Sequence, residues 1–541
     1  MTTSMNNRPM RNGLHSRHFL QHQPAPAPVN GEVRRNLRKP IRIMKFGGTS
    51  VGDAGSIGKV VEIIRSAARE SHVVVVVSAM SGVTNQLVAA ASQAEAGDYQ
   101  RVAAILAELR RQHDAAADAL IHSSAERSSI NRKVEELLQE GDRLCRGTML
   151  LGELTPRTRD AISSLGERLS APLVAAALAE CGVASEAIEA TELVVTDSCH
   201  GAADPFMDLT RERCHSGLRP LLELDIVPVV TGFIGATTDG ILTTLGRGGS
   251  DYSATILGAA LTADEVIIWT DVDGLQTADP RLVTGGRTIP EISYREAAEL
   301  AYFGAKVLHP KTLRAVMQCG IPLWIRNTFA PERPGTKITP SGPASAAGVK
   351  ALTALNEVAL ITVGGPGLAG VQDVLGRTFR TTAAVRADVL LISQASSQND
   401  LCLVIASALG KGMVEALRHE FAHDLAHEPA KHIALDPTVA MVTVVGQNMR
   451  SVPGVVGRTF AALDRENVNI IAIAQGSSEC TFSFVVAKQD VKTTLASLHQ
   501  EFRLGNPRHL ATAAGSAASD EDENYYQPWE PVATGRPNQE Q

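Results

Sequence analysis

Runs of apolar residues alternate with helical patterns along the first two thirds of the chain. Residues 41–45 alternate apolar and basic side chains, and residues 73–77 are five consecutive valines, which is typical of a parallel strand covered on both faces. Between them, residues 55–70 carry apolar side chains three or four positions apart, as in an amphipathic helix. The order strand, helix, strand predicts a βαβ unit with parallel strands.

The same alternation continues beyond this unit. Residues 84–151 are rich in Ala, Glu and Arg and favour helices, and strand patterns follow at 226–230, 265–270 and 322–325. We therefore predict one α/β domain with an open sheet over residues 41–337.

An internal repeat follows this predicted domain. Gly-Arg-Thr-Phe at 376–379 recurs unchanged at 457–460. The segments 361–363 and 392–397 also recur, in similar form, the same 81 positions later. Each copy has the pattern strand, helix, strand, strand, helix, strand of a ferredoxin-like βαββαβ domain.

These patterns divide the chain into six predicted parts. We expect disordered tails at both ends, because the first lacks an apolar face and the last is rich in small and acidic residues. The parts are a tail at 1–40, the α/β domain at 41–337, a linker and connecting strand at 338–355, the two repeats at 356–436 and 437–506, and a tail at 507–541.

Composition narrows the classes of function. The 541 residues carry a net charge of −7, so there is no basic footprint for nucleic acid, and no apolar run approaches the roughly 18 residues of a membrane span. The seven cysteines form no C-x-x-C pair, which favours reduced thiols in a cytoplasmic protein. We therefore expect neither nucleic acid nor a membrane as a partner.

A glycine turn follows the first predicted strand. Gly47 and Gly48 allow a phosphate to approach the backbone, Lys45 supplies positive charge, and we expect the following helix to point its N-terminus at the anion. A tight turn with an incidental lysine is the alternative. The P-loop pattern G-x-x-x-x-G-K-[ST] does not occur at this turn.

Residues 246–251, Gly-Arg-Gly-Gly-Ser-Asp, form a second glycine cluster before a helical segment. Arg247 could hold a carboxylate through two hydrogen bonds, and Asp251 could accept from an ammonium or a hydroxyl group. The alternative is a plain connecting loop. Glu167 opens another helical segment, and taken alone it is typical of a solvated face.

Three further features of the sequence bear on a nucleotide or phosphate site. Asp271 follows a predicted strand, where open α/β sheets bind nucleotides. Lys306 is a second candidate for neutralising phosphate, whereas nearby His309 is interpreted as structural. The G-x-G-x-x-G match at 365–370 lies in the first repeat and is missing from the second, so we interpret it as a loop of a ligand-sensing module.

With these segments in this order, the chain resembles the aspartate kinases of the amino-acid kinase superfamily. The resemblance runs from about residue 41 to about residue 501 and is carried by the motifs at 45–51, 246–252 and 302–310. It implies a carbamate-kinase-like open sheet followed by two ACT domains. It also implies transfer of the ATP γ-phosphate to the side-chain carboxylate of L-aspartate, the first step of lysine, threonine and methionine biosynthesis.

The resemblance assigns site residues by position. Lys45 and Lys306 would stabilise the transferring phosphate with Asp251 close by, and Mg²⁺ would be held by the ATP phosphates rather than by protein ligands. The substrate residues implied are Ser78, Thr84, Glu167, Arg247 and Ser250. The ATP residues implied are Lys45, Gly47, Gly48, Thr270, Asp271, Arg281 and Lys306. The family usually has Tyr where this chain has Gln276.

The resemblance also implies regulation by an amino-acid end product, threonine, lysine or both. The equivalent pairs Asp388/Asn469 and Gln394/Gln475 would form the effector sites, and the glutamine pattern is more similar to threonine-sensing members. A homodimer or homotetramer assembled through the ACT domains is expected. Only residues 507–541 follow the second repeat, so we expect a monofunctional kinase rather than a fusion with homoserine dehydrogenase.

Two alternatives remain open at this point. One is a related kinase whose acceptor is another carboxylate, such as glutamate or acetylglutamate. The other is a non-catalytic amino-acid sensor with an inactive kinase domain.

Overall fold

The computed structural model describes residues 39–304, 308–343, 348–364, 371–394, 400–427, 432–447, 449, 452–475 and 480–506. The predicted tails lie outside these residues, apart from Lys39 and Pro40. No described helix is long and apolar enough to cross a membrane.

The first part of the chain builds one large sheet. Its strands run in the order β3-β4-β2-β1-β7-β9-β10-β8, and β5 and β6 form a separate hairpin. All neighbouring pairs in the large sheet are parallel except β9 and β10. The strands are β1 (Ile41–Phe46), β2 (His72–Val77), β3 (Ser185–Ile188), β4 (Val227–Thr231), β5 (Ile234–Ala236), β6 (Leu242–Thr244), β7 (Glu265–Thr270), β8 (Glu291–Ser293), β9 (Leu323–Asn327) and β10 (Thr336–Thr339).

Helices cover both faces of this sheet. On one face, the apolar stripes of α1 to α4 and α6 share a core with β1, β2 and β4. On the other face α9 lies so close that a Cβ on Gly258 would be 2.6 Å from the Val266 side chain. The helices are α1 (Ala54–Ala68), α2 (Val83–Glu95), α3 (Tyr99–Leu120), α4 (Ser124–Leu151), α5 (Pro156–Ser163), α6 (Leu165–Glu180), α7 (Met207–Gly217), α8 (Arg219–Glu223), α9 (Gly249–Leu261), α10 (Tyr294–Tyr302) and α11 (Pro310–Cys319), with a 3₁₀ turn at Ala190–Glu192.

Two four-stranded antiparallel sheets make up the rest. Their orders are β13-β14-β12-β15 for the first and β11-β16-β18-β17 for the second. The strands are β11 (Ala351–Leu355), β12 (Val358–Gly364), β13 (Val389–Gln394), β14 (Asp400–Ala406), β15 (His432–Asp436), β16 (Val439–Val445), β17 (Ala472–Ala474) and β18 (Thr481–Ala487). The helices are α12 (Val371–Val385), α13 (Gly410–Glu420), α14 (Ala422–His427), α15 (Val455–Arg465) and α16 (Val491–Glu501), with 3₁₀ turns at Ser407–Leu409 and Lys488–Asp490.

The second repeat differs from the predicted pattern in one strand. The first repeat has all four strands, with β15 pairing antiparallel to β12. In the second repeat the position next to β16 is filled by β11, which precedes the first repeat in the chain. The prediction of a final strand within residues 437–506 was therefore wrong, because the connecting strand supplies the edge pairing that β16 needs.

Strand β11 also contacts the domain built on the large sheet. Its backbone N–H at Leu352 donates to the carbonyl of Thr277 (2.8 Å), and the Thr353 hydroxyl donates to the carbonyl of Phe303 (2.9 Å). Just before it, the ammonium of Lys350 lies 2.8 Å from the carboxylate of Glu296. One segment therefore joins the second four-stranded sheet to helix α10 and to the loop after β7.

We expect the Lys350–Glu296 pair to be essential for stability. Both side chains are buried, and the same Glu296 oxygen caps α10 by accepting from the backbone and hydroxyl of Ser293. Lys350→Met leaves a carboxylate buried without its partner, which typically costs about 3 kcal/mol or more. Thermal unfolding should therefore begin at a clearly lower temperature.

Lys488→Met is the matched control, because Lys488 pairs with Glu357 where both side chains are largely exposed. An exposed pair contributes about 1 kcal/mol or less. Equal shifts in melting temperature for the two variants would contradict the expectation.

Candidate functional site

An ion pair lies at the edge where the parallel strands end. Lys45 is the last residue but one of β1, and Asp251 lies in the first turn of α9. The Lys45 Nζ is 2.5 Å from the Asp251 Oδ1, and both side chains are largely buried. A positive charge is thereby held at a fixed position over the end of the sheet.

The N-terminus of α9 supplies further positive potential. The N-cap of this helix is Gly248, whose backbone is in the left-handed conformation. Glycine has no side chain that could accept a hydrogen bond from the first turn. No described residue accepts from the backbone N–H groups of Ser250 and Asp251, which therefore face the site unpaired. Uncapped N–H groups at a helix start favour an anion.

The helix after the first glycine turn behaves differently from our expectation. Helix α1 begins only at Ala54, and the carboxylate of Asp53 caps it by accepting from the backbone of Ser56 (2.7 Å). The prediction that this helix points a free N-terminus at an anion was therefore wrong, because an acidic side chain already occupies that position.

The glycine turn itself lines the site. Gly47 donates its N–H to the carbonyl of Trp269 (3.1 Å), which ties the turn to the end of β7. A Cβ on Gly48 would be 3.1 Å from the carbonyl oxygen of Ala79, so only glycine fits without a shift. Within the described chain, the N–H groups of Gly48, Thr49 and Ser50 have no acceptor, and they remain available to a phosphate.

Glu167 is fully buried beside the ion pair. Burial raises the pKa of its carboxyl to about 8, although the backbone of Ala79, the charge of Lys45 and the hydroxyl of Ser250 act in the opposite direction. Among the residues that the structure describes, none donates a hydrogen bond to its Oε2. A buried carboxyl oxygen without a donor is expensive, so its position fits a site that receives a cationic or donor group from a ligand.

Ser78 and Thr84 lie on the segment that Glu167 packs against. Ser78 follows β2 and donates its N–H to the carbonyl of Phe46, while Thr84 lies in the first turn of α2. Both are half-buried. A Cβ on Gly166 would be 2.6 Å from the Cβ of Ala79, so α6 can approach this segment only because residue 166 is glycine.

Arg247 lies at the exposed tip of the second glycine cluster. Gly246 and Gly248 on either side have φ values of +81° and +69°, which side chains rarely adopt, so the glycines shape the turn that presents the arginine. Phe233 borders the same turn with φ +69°, and its ring would be 2.6 Å from a Cβ on Gly249. Our sequence reasoning missed Phe233, and the glycine before it was the available signal.

The predicted nucleotide residues Thr270, Asp271 and Arg281 lie at the end of β7 and beyond it. Thr270 comes directly after Trp269, whose carbonyl holds the glycine turn, and its hydroxyl donates to Asp271 (3.1 Å). Arg281 is exposed and pairs with Asp279 (2.6 Å). Gln276 donates its side-chain amide to Thr288 (2.9 Å).

The motif at 302–310 contains two residues that the sequence analysis singled out, Lys306 and His309. Lys306 lies outside the described residues. His309 is the N-cap of α11, where its ring accepts from the backbone N–H of Lys311 (3.3 Å), and this contact agrees with a structural role.

The four predicted effector residues are exposed on the two four-stranded sheets. Asp388 precedes β13 and Gln394 ends it, while Asn469 precedes β17 and Gln475 follows it. The two strands pack in a shared apolar cluster through Leu391 and Ala472. The loops at 395–399 and 476–479 lie outside the described residues.

Comparison with known proteins agrees with this architecture. A model described as the amino acid kinase family matches residues 40–327, and an ACT domain model matches residues 442–502. The fold and these matches therefore define an amino acid kinase followed by an ACT domain.

Individual relatives are more specific. The chain is 31% identical to aspartokinase 3, chloroplastic, of Arabidopsis thaliana, over 87% of this chain and 83% of that protein. The crystal structure of E. coli aspartokinase III in complex with aspartate and ADP is 30% identical with a TM-score of 0.70, over 85% of this chain and 99% of that one. The chain belongs to the aspartokinase family.

A bifunctional aspartokinase/homoserine dehydrogenase 1 of Arabidopsis thaliana is 35% identical over 85% of this chain. The chain spans about half the length of such bifunctional relatives, here 51%. The aspartate kinase of Clostridium acetobutylicum is 25% identical with a TM-score of 0.72 and is covered completely.

The buried Glu167 gives a pH prediction for the protein without ligands. Its pKa is about 8 in the folded state and near 4.5 when unfolded, so the folded state keeps a proton that the unfolded state releases. Stability due to this group is therefore present below about pH 4.5 and is lost as the pH rises towards 8.

Glu167→Gln removes this loss, so its melting temperature should rise above that of the wild type by more at pH 8 than at pH 5.5. The stabilisation at pH 8 should be on the order of a few kcal/mol. Glu180→Gln on the exposed end of the same helix is the control, with no expected change. A Glu167→Gln difference that is constant with pH would contradict the prediction.

Proposed function

We propose that the chain is an aspartate kinase that transfers the γ-phosphate of ATP to the side-chain carboxylate of L-aspartate, giving 4-phospho-L-aspartate. The observation that carries the proposal is Glu167, which lies beside the Lys45–Asp251 pair with a buried oxygen that no described residue bonds to. An acceptor with an ammonium group would give that oxygen its donor, and the adjacent lysine and helix start would receive the phosphate.

The chemistry needs positioned charge rather than a base. The side chain of aspartate has an ordinary pKa near 3.9, so its carboxylate is already ionised near pH 7 and can attack the γ-phosphorus directly. The bond from that phosphorus to the bridging oxygen breaks, and ADP leaves. Lys45, the N–H groups at the start of α9 and, as a proposal from the resemblance, Lys306 stabilise the charge on the transferring group.

The remaining roles follow from position. Arg247 would hold the α-carboxylate of the substrate, and Ser78, Thr84 and Ser250 would surround the reacting carboxylate. The nucleotide would lie along the edge formed by Gly47, Gly48, Thr270, Asp271 and Arg281, with Mg²⁺ carried by its phosphates. The E. coli structure in complex with aspartate and ADP supports this pair of ligands.

We further propose feedback control through the ACT domains. Burial is the largest cause of the raised pKa of the Tyr302 phenol, and the charge of Asp388 raises it further. Asp388, at one predicted effector site, is therefore close to Tyr302. Tyr302 ends α10, which leads to Lys306, and the next residue is held by Thr353 of β11. An effector that moves β13 or β11 would therefore act on the segment that carries the second lysine.

Threonine is the effector we propose first, on the glutamine pattern at 394 and 475. A crystal structure of E. coli aspartokinase III in complex with lysine and aspartate makes lysine the alternative. We also propose a homodimer or homotetramer formed through the ACT domains, and a cytoplasmic location. Both stay predictions, as do the domain boundaries.

Activity with aspartate is the first test. Purified protein is incubated with MgATP and either aspartate, glutamate or acetylglutamate, and ADP release is followed in a coupled assay. We expect kcat/KM with aspartate to exceed that with glutamate by at least about tenfold, the lower end of what one methylene group provides. Turnover restricted to glutamate or acetylglutamate would contradict the proposal, and no turnover with any acceptor would favour the sensor alternative.

Lys45→Ala should reduce kcat at least about 100-fold, because an electrostatic donor to a transition state is typically worth about 3 kcal/mol. Lys59→Ala is the control, since Lys59 lies on α1 with its ammonium over the Phe329 ring. A near-normal kcat for Lys45→Ala would refute the assigned role.

Effector control is tested in the same assay with threonine or lysine added. We expect threonine to inhibit at the lower concentration, and Gln394→Ala and Gln475→Ala to raise the inhibitory concentration. Thr353→Val should also raise it several-fold, because it removes the hydrogen bond from β11 to Phe303. Thr438→Val, in an exposed turn between the repeats, is the matched control. Inhibition by lysine alone would overturn the threonine assignment.

A further inference from the structure

We propose that Asp160 is a positioning residue for the substrate-binding turn, acting on Arg247 through strand β6; this rests on the proposed function. Asp160 lies on α5 and is almost completely buried, and neither the sequence motifs nor the proposed mechanism uses it. It is the point at which three separate segments of the chain meet.

Its two carboxylate oxygens face four donor positions. Oδ1 accepts from the Thr244 hydroxyl (2.6 Å), and Oδ2 accepts from the backbone N–H groups of Thr244 (3.2 Å) and Gly201 (3.0 Å). The Nδ1 of His200 is 2.9 Å from the same Oδ2. Helix α5, the loop at 198–204 and the end of β6 are thereby held together by one side chain.

The end of β6 leads directly into the turn that presents Arg247. Ala203 donates its N–H to the carbonyl of Thr244 (2.9 Å), so the loop at 198–204 pairs with the last residue of β6. Gly246 then passes so close that a Cβ there would be 2.9 Å from the carbonyl oxygen of Gly201. The direction in which Arg247 leaves the sheet is therefore set by contacts that depend on Asp160.

A carboxylate suits this position better than an amide. An ionised carboxylate only accepts hydrogen bonds, whereas the side chain of asparagine places an NH₂ group at one of the two oxygen positions. In Asp160→Asn the NH₂ group can take the Oδ2 position, where the N–H groups of Gly201 and Thr244 lose their acceptor. If it takes the Oδ1 position instead, the Thr244 hydroxyl must turn from donor to acceptor, and the hydrogen bonds to a carboxylate become weaker bonds to a neutral amide. The turn should then lose its fixed geometry while the nucleotide edge, on β1 and β7, stays intact.

The test compares kinetic constants for the two substrates. Asp160→Asn should raise KM for aspartate at least about tenfold, and leave KM for ATP within about twofold of wild type. Thr244→Val removes only the hydroxyl donor to Oδ1 and should raise KM for aspartate about threefold. It keeps the test valid if Asp160→Asn does not fold.

Asp197→Asn is the matched control. The Asp197 Oδ1 accepts from the backbone of Cys199 (3.1 Å) and Asp204 (3.2 Å), so it orders the same loop without reaching β6. Both kinetic constants should stay near wild-type values. An equal rise in KM for aspartate in this control would mean that loop order alone matters, which would overturn the proposal.

Hydrogen exchange gives a readout that does not need turnover. In Asp160→Asn and Thr244→Val, exchange should accelerate in peptides covering 198–204 and 244–249, and stay unchanged in those covering 41–50. If wild-type protein phosphorylates no aspartate, the proposed function fails, and unchanged exchange in the variants would separately overturn the role of Asp160. Unchanged KM for aspartate in a folded, active variant would also overturn it.

Discussion

Parallel pairing of β1 with β2 and β7 is the constraint on which the rest of the molecule depends. Parallel strands end at the same edge of a sheet, so every turn that follows them is placed there. The glycine turn after Phe46 and the segment after Val77 therefore meet the end of β7 without any long-range loop. Helix α9, packed on the opposite face from α1, then brings Asp251 to the same edge, where it meets Lys45.

This arrangement places the ionisable side chains of Lys45, Asp251 and Glu167 in a largely buried part of the domain. Glu167 is buried with an oxygen to which no residue of the described part of the chain donates, and burial raises the pKa of its carboxyl. Such a group lowers the stability of the folded protein, and the substrate ammonium proposed above would supply its missing donor. The buried Lys350–Glu296 pair differs in kind, because its lysine and the Ser293 cap satisfy one carboxylate oxygen from within the chain.

Much of this could be predicted from the sequence, for reasons that particular residues make clear. The five valines of β2 and the segments repeated 81 positions apart are short sequence patterns. Each one predicts its own strand or helix from neighbouring residues alone. The pairing of β11 with β16 in the second four-stranded sheet could not be predicted. Which strand fills the edge of a sheet depends on the strands that lie nearby in the fold, and not on the sequence pattern of the strand itself. Likewise, Asp160 looks like any helix acid until β6 and the loop at 198–204 are seen to converge on it.

The exchange of β11 has a mechanical consequence. A strand that merely linked two domains could move without disturbing either, but β11 is hydrogen-bonded along its length to β16 and, through Leu352 and Thr353, to both kinase segments. If the second four-stranded sheet moves, the loop after β7 and the end of α10 must move with it, or these hydrogen bonds must break. Thr277 in that loop also contacts His499 of α16 (3.0 Å), so β11 and α16 both hold the loop after β7. The hydrogen-bonded connection between the second repeat and the kinase domain therefore depends on where the edge strand of that repeat comes from in the chain.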